Sequence, residues 1–380
     1  MFKYTEPQKR LITLALAGLV WIGGNAMAMN VDVDSATKDM PGKVESTVLS
    51  VPVKTPMINQ ISDVVYEQVP MRGYPNVAMK MDILQPKSDT KQPAIVYVTG
   101  GGFINANKDN GIQLRMRLAE AGYVVASIQY RVAPTARFPE PLEDVKASIR
   151  YLKAHADQFG IDPEQIGIIG GSAGGYLTAM AATTSGTTTF DKGDNLQVGS
   201  DVKAAVDLYG LSDLTRIGDD YSESVKKAHQ SPGATEALWV NGSAVFGGQD
   251  GGILANPEGA KKANPITYIS KTSAPMLLMH GTKDTVVSPS QTDLLFQALQ
   301  KHNIPSKRYL VEGAAHGGVY WNQKRSPRHH HRFLRLVFEK INKFLKKITC
   351  PKDVDQSLRQ VIFLIFRPVR RIPGRRWSFP

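Results

Sequence analysis

One cysteine, Cys350, in a chain of 380 residues permits no intrachain disulfide. An oxidising compartment is therefore tolerated but lends the fold no covalent support. The apolar runs Leu11–Gly24 and Val361–Phe366 both fall short of the roughly 20 residues that span a bilayer. There is no G-x-G-x-x-G, no Walker lysine, no metal-ligand cluster and no second carboxylate pair, so neither a cofactor nor a metal is expected. No internal repeat is present. The body of the chain also lacks an excess of positive charge, although the formal net charge is +12. Residues 323–380 hold 16 Lys and Arg against three Asp and Glu, which leaves 30 against 31 in everything before them. A neutral body argues against a basic face for nucleic acid.

What is present begins with a basic cluster (Lys3, Lys9, Arg10), the apolar run and then Ala26-Met27-Ala28. That order is expected for a secretory leader cleaved after Ala28, delivering the protein to the periplasm or the exterior. Residues 29–60 are polar, carry scattered proline and read as an arm. From there strands and helices alternate. The apolar runs "PAIVYVTG" (Pro93–Gly100) and "YVVASIQY" (Tyr123–Tyr130) suit strands buried on both faces. Further strands are expected at Val64–Gln68, Val77–Leu84, Ile166–Ile169, Ala204–Leu208, Met276–His280 and Arg308–Val311. Helices are expected at Ile112–Ala121, Leu142–Phe159, Ala173–Ala182, Gln291–His302 and Phe333–Lys347. Such alternation predicts an α/β fold, a mostly parallel sheet covered on both faces. The domain is expected over 61–348, with an irregular lid or pocket insertion at 212–264. Residues 349–380 form a basic tail, read as unstructured chain or an altered reading frame in preference to an anchor on an anionic membrane.

The stretch "GIIGGSAGGYL" (Gly167–Leu177) places Ser172 in G-x-S-x-G between a strand and a helix. Glycines at the flanking positions let the chain turn sharply enough to expose one hydroxyl. A serine hydroxyl is a weak nucleophile until a histidine takes its proton, and a carboxylate must fix that histidine's tautomer. Those partners are expected after later strands, in the order acid then histidine. "MLLMHGTKDTVV" (Met276–Val287) offers Asp284 and "YLVEGAAHGG" (Tyr309–Gly318) offers His316, each just past a strand. Asp213 is the alternative acid. His155, His229 and His302 read as surface residues, His280 as structural, and Asp144 as a packing or supporting group. "VTGGGF" (Val98–Phe103) places three glycines after an earlier strand. The N–H groups of Gly101, Gly102 and Ala173 are the expected oxyanion donors. Phe103, together with Trp239 and Phe246 in the insertion, are candidates for contacting substrate.

In order along the chain, "GGGF", "YRVAPTARFPEPLEDVKASIRYL", "GIDPEQIGIIGGSAGG", "HGTKDTVV" and "GAAHGG" resemble the α/β-hydrolase superfamily. Within it, the resemblance is to bacterial hormone-sensitive-lipase-like and feruloyl- or acetyl-xylan-esterase-like enzymes, over about residues 63–347. It implies a carboxylesterase with Ser172 as nucleophile, His316 as base and Asp284 as acid, acting on small-molecule or polysaccharide-linked esters. A peptidase of this fold usually carries a β-propeller ahead of the hydrolase domain, for which the roughly 60 residues before the first strand are too few. The family's usual histidine before the glycine triplet, which orders that loop, is Thr99 here.

Overall fold

The computed structural model describes residues 49–53, 55–322 and 343–344. The chain divides into a short N-terminal unit, Met1–Pro52, and a unit that starts at Val53 and holds every element discussed here. The leader, most of the arm, the tail and all but Lys343 and Phe344 of the expected last helix lie outside the described residues.

An eight-stranded sheet runs in the order β1-β2-β4-β3-β5-β6-β7-β8. Its strands are β1 (Ile58–Met71), β2 (Tyr74–Pro86), β3 (Gln92–Val98), β4 (Val124–Ile128), β5 (Ile161–Gly171), β6 (Ala204–Leu208), β7 (Met276–Gly281) and β8 (Ser306–Val311). β2 is antiparallel to both its neighbours, and every pairing from β4 to β8 is parallel. β1 starts at Ile58, so the last residues of the expected arm belong to the sheet.

β4 and β6 are buried at every position, the result of helices covering both faces. α1 (Ile112–Glu120) packs Leu114 and Leu118 on one face. α2 (Glu140–Ala154), the short α3 (Ala156–Phe159), α4 (Ala173–Thr183) and α8 (Ser290–Lys301) bury their apolar sides on the other. The single helix expected over Leu142–Phe159 is thus two, parted at His155, whose ring stacks on Tyr151. The 212–264 segment is more regular than expected and contains α5 (Glu223–His229), α6 (Thr235–Asn241) and α7 (Pro257–Lys262). Among the described residues no helix is long and apolar enough to cross a membrane.

Asp144, fully buried on α2, accepts from the backbone N–H of Arg131 at 2.7 Å and from its guanidinium at 2.7 and 2.9 Å. This pair ties the chain after β4 to α2. Removing one partner of a buried pair strands the other charge, at about 3–5 kcal/mol. Arg131→Met should lower unfolding stability by that amount in urea titrations, and adding Asp144→Leu should restore most of it.

Candidate active site

Parallel strands deliver their following loops to one edge of the sheet, and three such loops meet over β5. Ser172 follows β5 directly, with φ 56° and ψ −126°. A positive φ is unfavourable for a residue with a Cβ and persists only where the surroundings impose it. Here the Ser172 N–H donates to Leu208 O at 2.9 Å and its carbonyl accepts from Tyr176 at 3.0 Å, which starts α4. Gly174 sits against the carbonyl oxygens of Val98 and Thr99, so tightly that a Cβ there would overlap both. The glycine is what brings the helix up to the loop after β3.

His316, in the loop after β8, accepts at Nε2 from the Ser172 hydroxyl at 2.8 Å. Its Nδ1–H donates to Asp284 Oδ2, also at 2.8 Å. Asp284, in the loop after β7, accepts at Oδ1 from the N–H groups of Val286 and Val287 at 2.9 and 3.0 Å. Burial alone would raise the Asp284 carboxyl's pKa, but hydrogen bonds from His280, His316 and Val287 N–H outweigh it and hold the group well below the usual carboxylate range. Asp213, the alternative acid, instead accepts from Thr215 N–H and Oγ1 in a local turn.

His280 is a partner whose role the sequence did not disclose. Fully buried at the end of β7, it directs Nε2 at Val287 O (2.9 Å) and at Asp284 Oδ2 (3.2 Å). A carbonyl only accepts, so Nε2 carries the hydrogen and Asp284 is clamped by two imidazoles. The i, i+4 spacing of His280 and Asp284 across the turn was the available signal.

The three-glycine loop lies beside Ser172. Gly102 has φ 57°, a conformation suited to glycine. Among the described residues, nothing accepts from the N–H groups of Gly101, Gly102 or Ala173, and the Ala173 N–H opens a helix, where no intrahelical acceptor exists. Thr99, at the position of the family's histidine, is buried, and its carbonyl accepts from the Tyr130 hydroxyl at 2.7 Å. Tyr130 therefore anchors the loop from β4.

A cavity of about 450 Å³ opens over Ser172, walled by Tyr97, Asn110, Leu114, Tyr209, Val286 and Trp321. Tyr209 has φ 45° and sets its ring edge-on between His316 (5.0 Å) and Trp321 (4.6 Å). Two expectations are corrected here. None of the residues lining this cavity comes from 212–264, so that segment is not its lid. Phe103 and Trp239 are not substrate contacts either. They are 2% and 0% exposed and pack with Tyr176 in a three-ring cluster, centroids 4.4 to 6.1 Å apart, because covering three large rings favours core over cavity. Phe246 is exposed but lines a different cleft. Among the described residues no group of three or more His, Cys, Asp or Glu is placed to hold a metal ion.

The pattern of the BD-FAE family matches residues 81–299, more than half of the chain and most of the sheet. The chain belongs to the BD-FAE family. Its fold is that of the α/β-hydrolases. Esterase LipC of Mycobacterium tuberculosis is 30% identical over 246 residues, 63% of this chain and 57% of that protein. Esterase LipQ of the same organism is 27% identical over 227 residues, 60% of this chain and 50% of that one. This BD-FAE member therefore spans about half the length of the curated relatives it matches. A solved truncated carbohydrate esterase from gut microbiota superposes with TM-score 0.63 at 25% identity, covering 78% of this chain and 98% of that one.

Proposed function

We propose that the protein is a serine carboxylesterase working through an acyl-enzyme. The observation that carries this reading is the unbroken hydrogen-bonded line from Ser172 Oγ through His316 to Asp284, presented to a cavity by a strained turn. Ser172 Oγ attacks the ester carbonyl carbon as its proton passes to His316 Nε2. The N–H groups of Gly101, Gly102 and Ala173 receive the oxyanion. The bond between the carbonyl carbon and the alkoxy oxygen breaks, leaving the acyl group on Ser172 Oγ, and the departing oxygen takes the proton from His316. Water, deprotonated by the same imidazole, then releases the acid and restores Ser172. The basic and apolar N-terminal segment with Ala26-Met27-Ala28 supports export, with a mature chain that starts at Met29.

The substrate reading is a short aliphatic or a feruloyl acyl group on a hydroxyl-rich alcohol, as in an acetylated or feruloylated polysaccharide. It is supported by the modest cavity, whose lining includes Tyr97, Tyr209, Asn110 and Asn322, and by the resemblance to a carbohydrate esterase. Initial rates on p-nitrophenyl esters from acetate to laurate, with acetyl-xylan and a feruloyl sugar alongside, test it. The expected result is kcat/KM falling at least tenfold from acetate to laurate, a difference of about 1.4 kcal/mol at the transition state. A profile that rises with chain length would reject the short-acyl reading.

A further inference from the structure

A second cleft, of about 430 Å³, shares no lining residue with the ester cavity. It is formed by the tip of the β1–β2 hairpin, the residues leading into α2, and the Gly-rich chain after α6. Arg72, at the hairpin tip, lays its guanidinium over the Phe246 ring, 3.8 Å from the centroid, and donates from Nη2 to Phe246 O at 3.0 Å. Arg137 lines the opposite side next to Gly242. Among the described residues no acceptor takes its guanidinium, although its backbone N–H donates to Glu140 Oε2.

Arg131 is engaged by Asp144, Glu140 and Glu143. The guanidinium groups of Arg72 and Arg137 have no carboxylate partner among the described residues, which suits an anionic ligand between them. Arginine's planar fork suits a carboxylate in particular. The other features suit a sugar ring. Phe246 is 54% exposed despite the stacked guanidinium, and Thr135 and Ser243 line the same cleft.

We propose that this cleft is a binding site for a carboxylate-bearing sugar, a uronic acid unit, with Arg137 and Arg72 taking the carboxylate and Phe246 the ring. The site is built from groups outside the Ser172 machinery, so it stands whether or not the esterase reading does. A glycan carrying both an ester and a uronic acid could then be held at two points.

Ligand-observed NMR titration of the full chain with methyl β-D-glucuronide, methyl β-D-glucoside and inorganic phosphate tests this directly. The glucuronide should bind saturably with a Kd of about 1 mM, an ordinary value for a single sugar. Arg137→Gln should weaken it about tenfold or more, the scale of one charge-assisted hydrogen bond, while Ser172→Ala leaves it unchanged. Arg137 is on the surface, and an unchanged thermal midpoint together with an unchanged rate on p-nitrophenyl acetate would show that Arg137→Gln is folded. Equal binding of the glucoside, phosphate binding as tight as the glucuronide, no saturable binding, or glucuronide affinity unchanged in Arg137→Gln would each overturn the proposal.

Discussion

Replacing Ser172 with alanine should lower kcat on a simple acetate ester by about 10⁴-fold or more, with little change in stability. The size follows from what is lost. Without Oγ there is no covalent intermediate, His316 has no proton to take, and the remaining contribution is the glycine loop acting on a direct attack by water. Stability should change little because, among the described residues, Ser172 Oγ makes no hydrogen bond beyond the one to His316. The backbone contacts that hold the turn, to Leu208 and Tyr176, do not depend on the side chain. Steady-state kinetics and a urea titration on the same preparation separate the two effects. A variant that retained a tenth of the activity would remove Ser172 from the reaction.

Asp284→Asn should be nearly as damaging, lowering kcat about 10³- to 10⁴-fold. The carboxamide oxygen can still accept from Val286 and Val287, so the turn survives. Its NH₂ would then face two donors, His316 Nδ1–H and His280 Nε2–H. Relief comes if the His316 proton moves to Nε2, the nitrogen that must accept from Ser172. Asp213→Asn, whose carboxylate serves only Thr215 among the described residues, should stay within about twofold of wild type. If the Asp213 variant were the more impaired, the acid would be misassigned. The depressed pKa of Asp284 carries a sign for pH dependence. A carboxylate stabilised in the fold contributes stability above its unfolded pKa and loses it as pH falls through the folded value. The triad's own contribution should therefore persist through mildly acidic pH and vanish only in strong acid.

That Ser172, Asp284 and His316 meet could be read from the sequence because each follows a strand, Ser172 and Asp284 after buried apolar runs and His316 after the half-buried edge strand β8. Parallel strands bring such loops to one edge whatever the helices between them do. The glycine neighbours of Ser172 were legible for the same reason, since close backbone approach needs residues without a Cβ. Side-chain direction was not legible. Trp239 and Phe246 lie seven residues apart in one Gly-rich segment, yet one is core and the other surface, which only the packing of Phe103 and Tyr176 decides. The 212–264 segment looked irregular because α5, α6 and α7 are each too short to show periodicity. Its position beside the cavity, and not over it, depends on contacts with α4, with the loop after β7 and with α8 that no local pattern encodes. His280 could be placed at a strand end, but its bond to Asp284 arises from the turn geometry between them.

The central claim is that Ser172 is a nucleophile activated within this fold. Reaction with a fluorophosphonate followed by intact-mass and peptide analysis tests it most directly. One adduct per chain is expected on the peptide containing Ser172, none in Ser172→Ala, and strongly slowed labelling in His316→Ala. Labelling of Ser172→Ala at the wild-type rate, or an adduct on any other residue of the wild type, would contradict it.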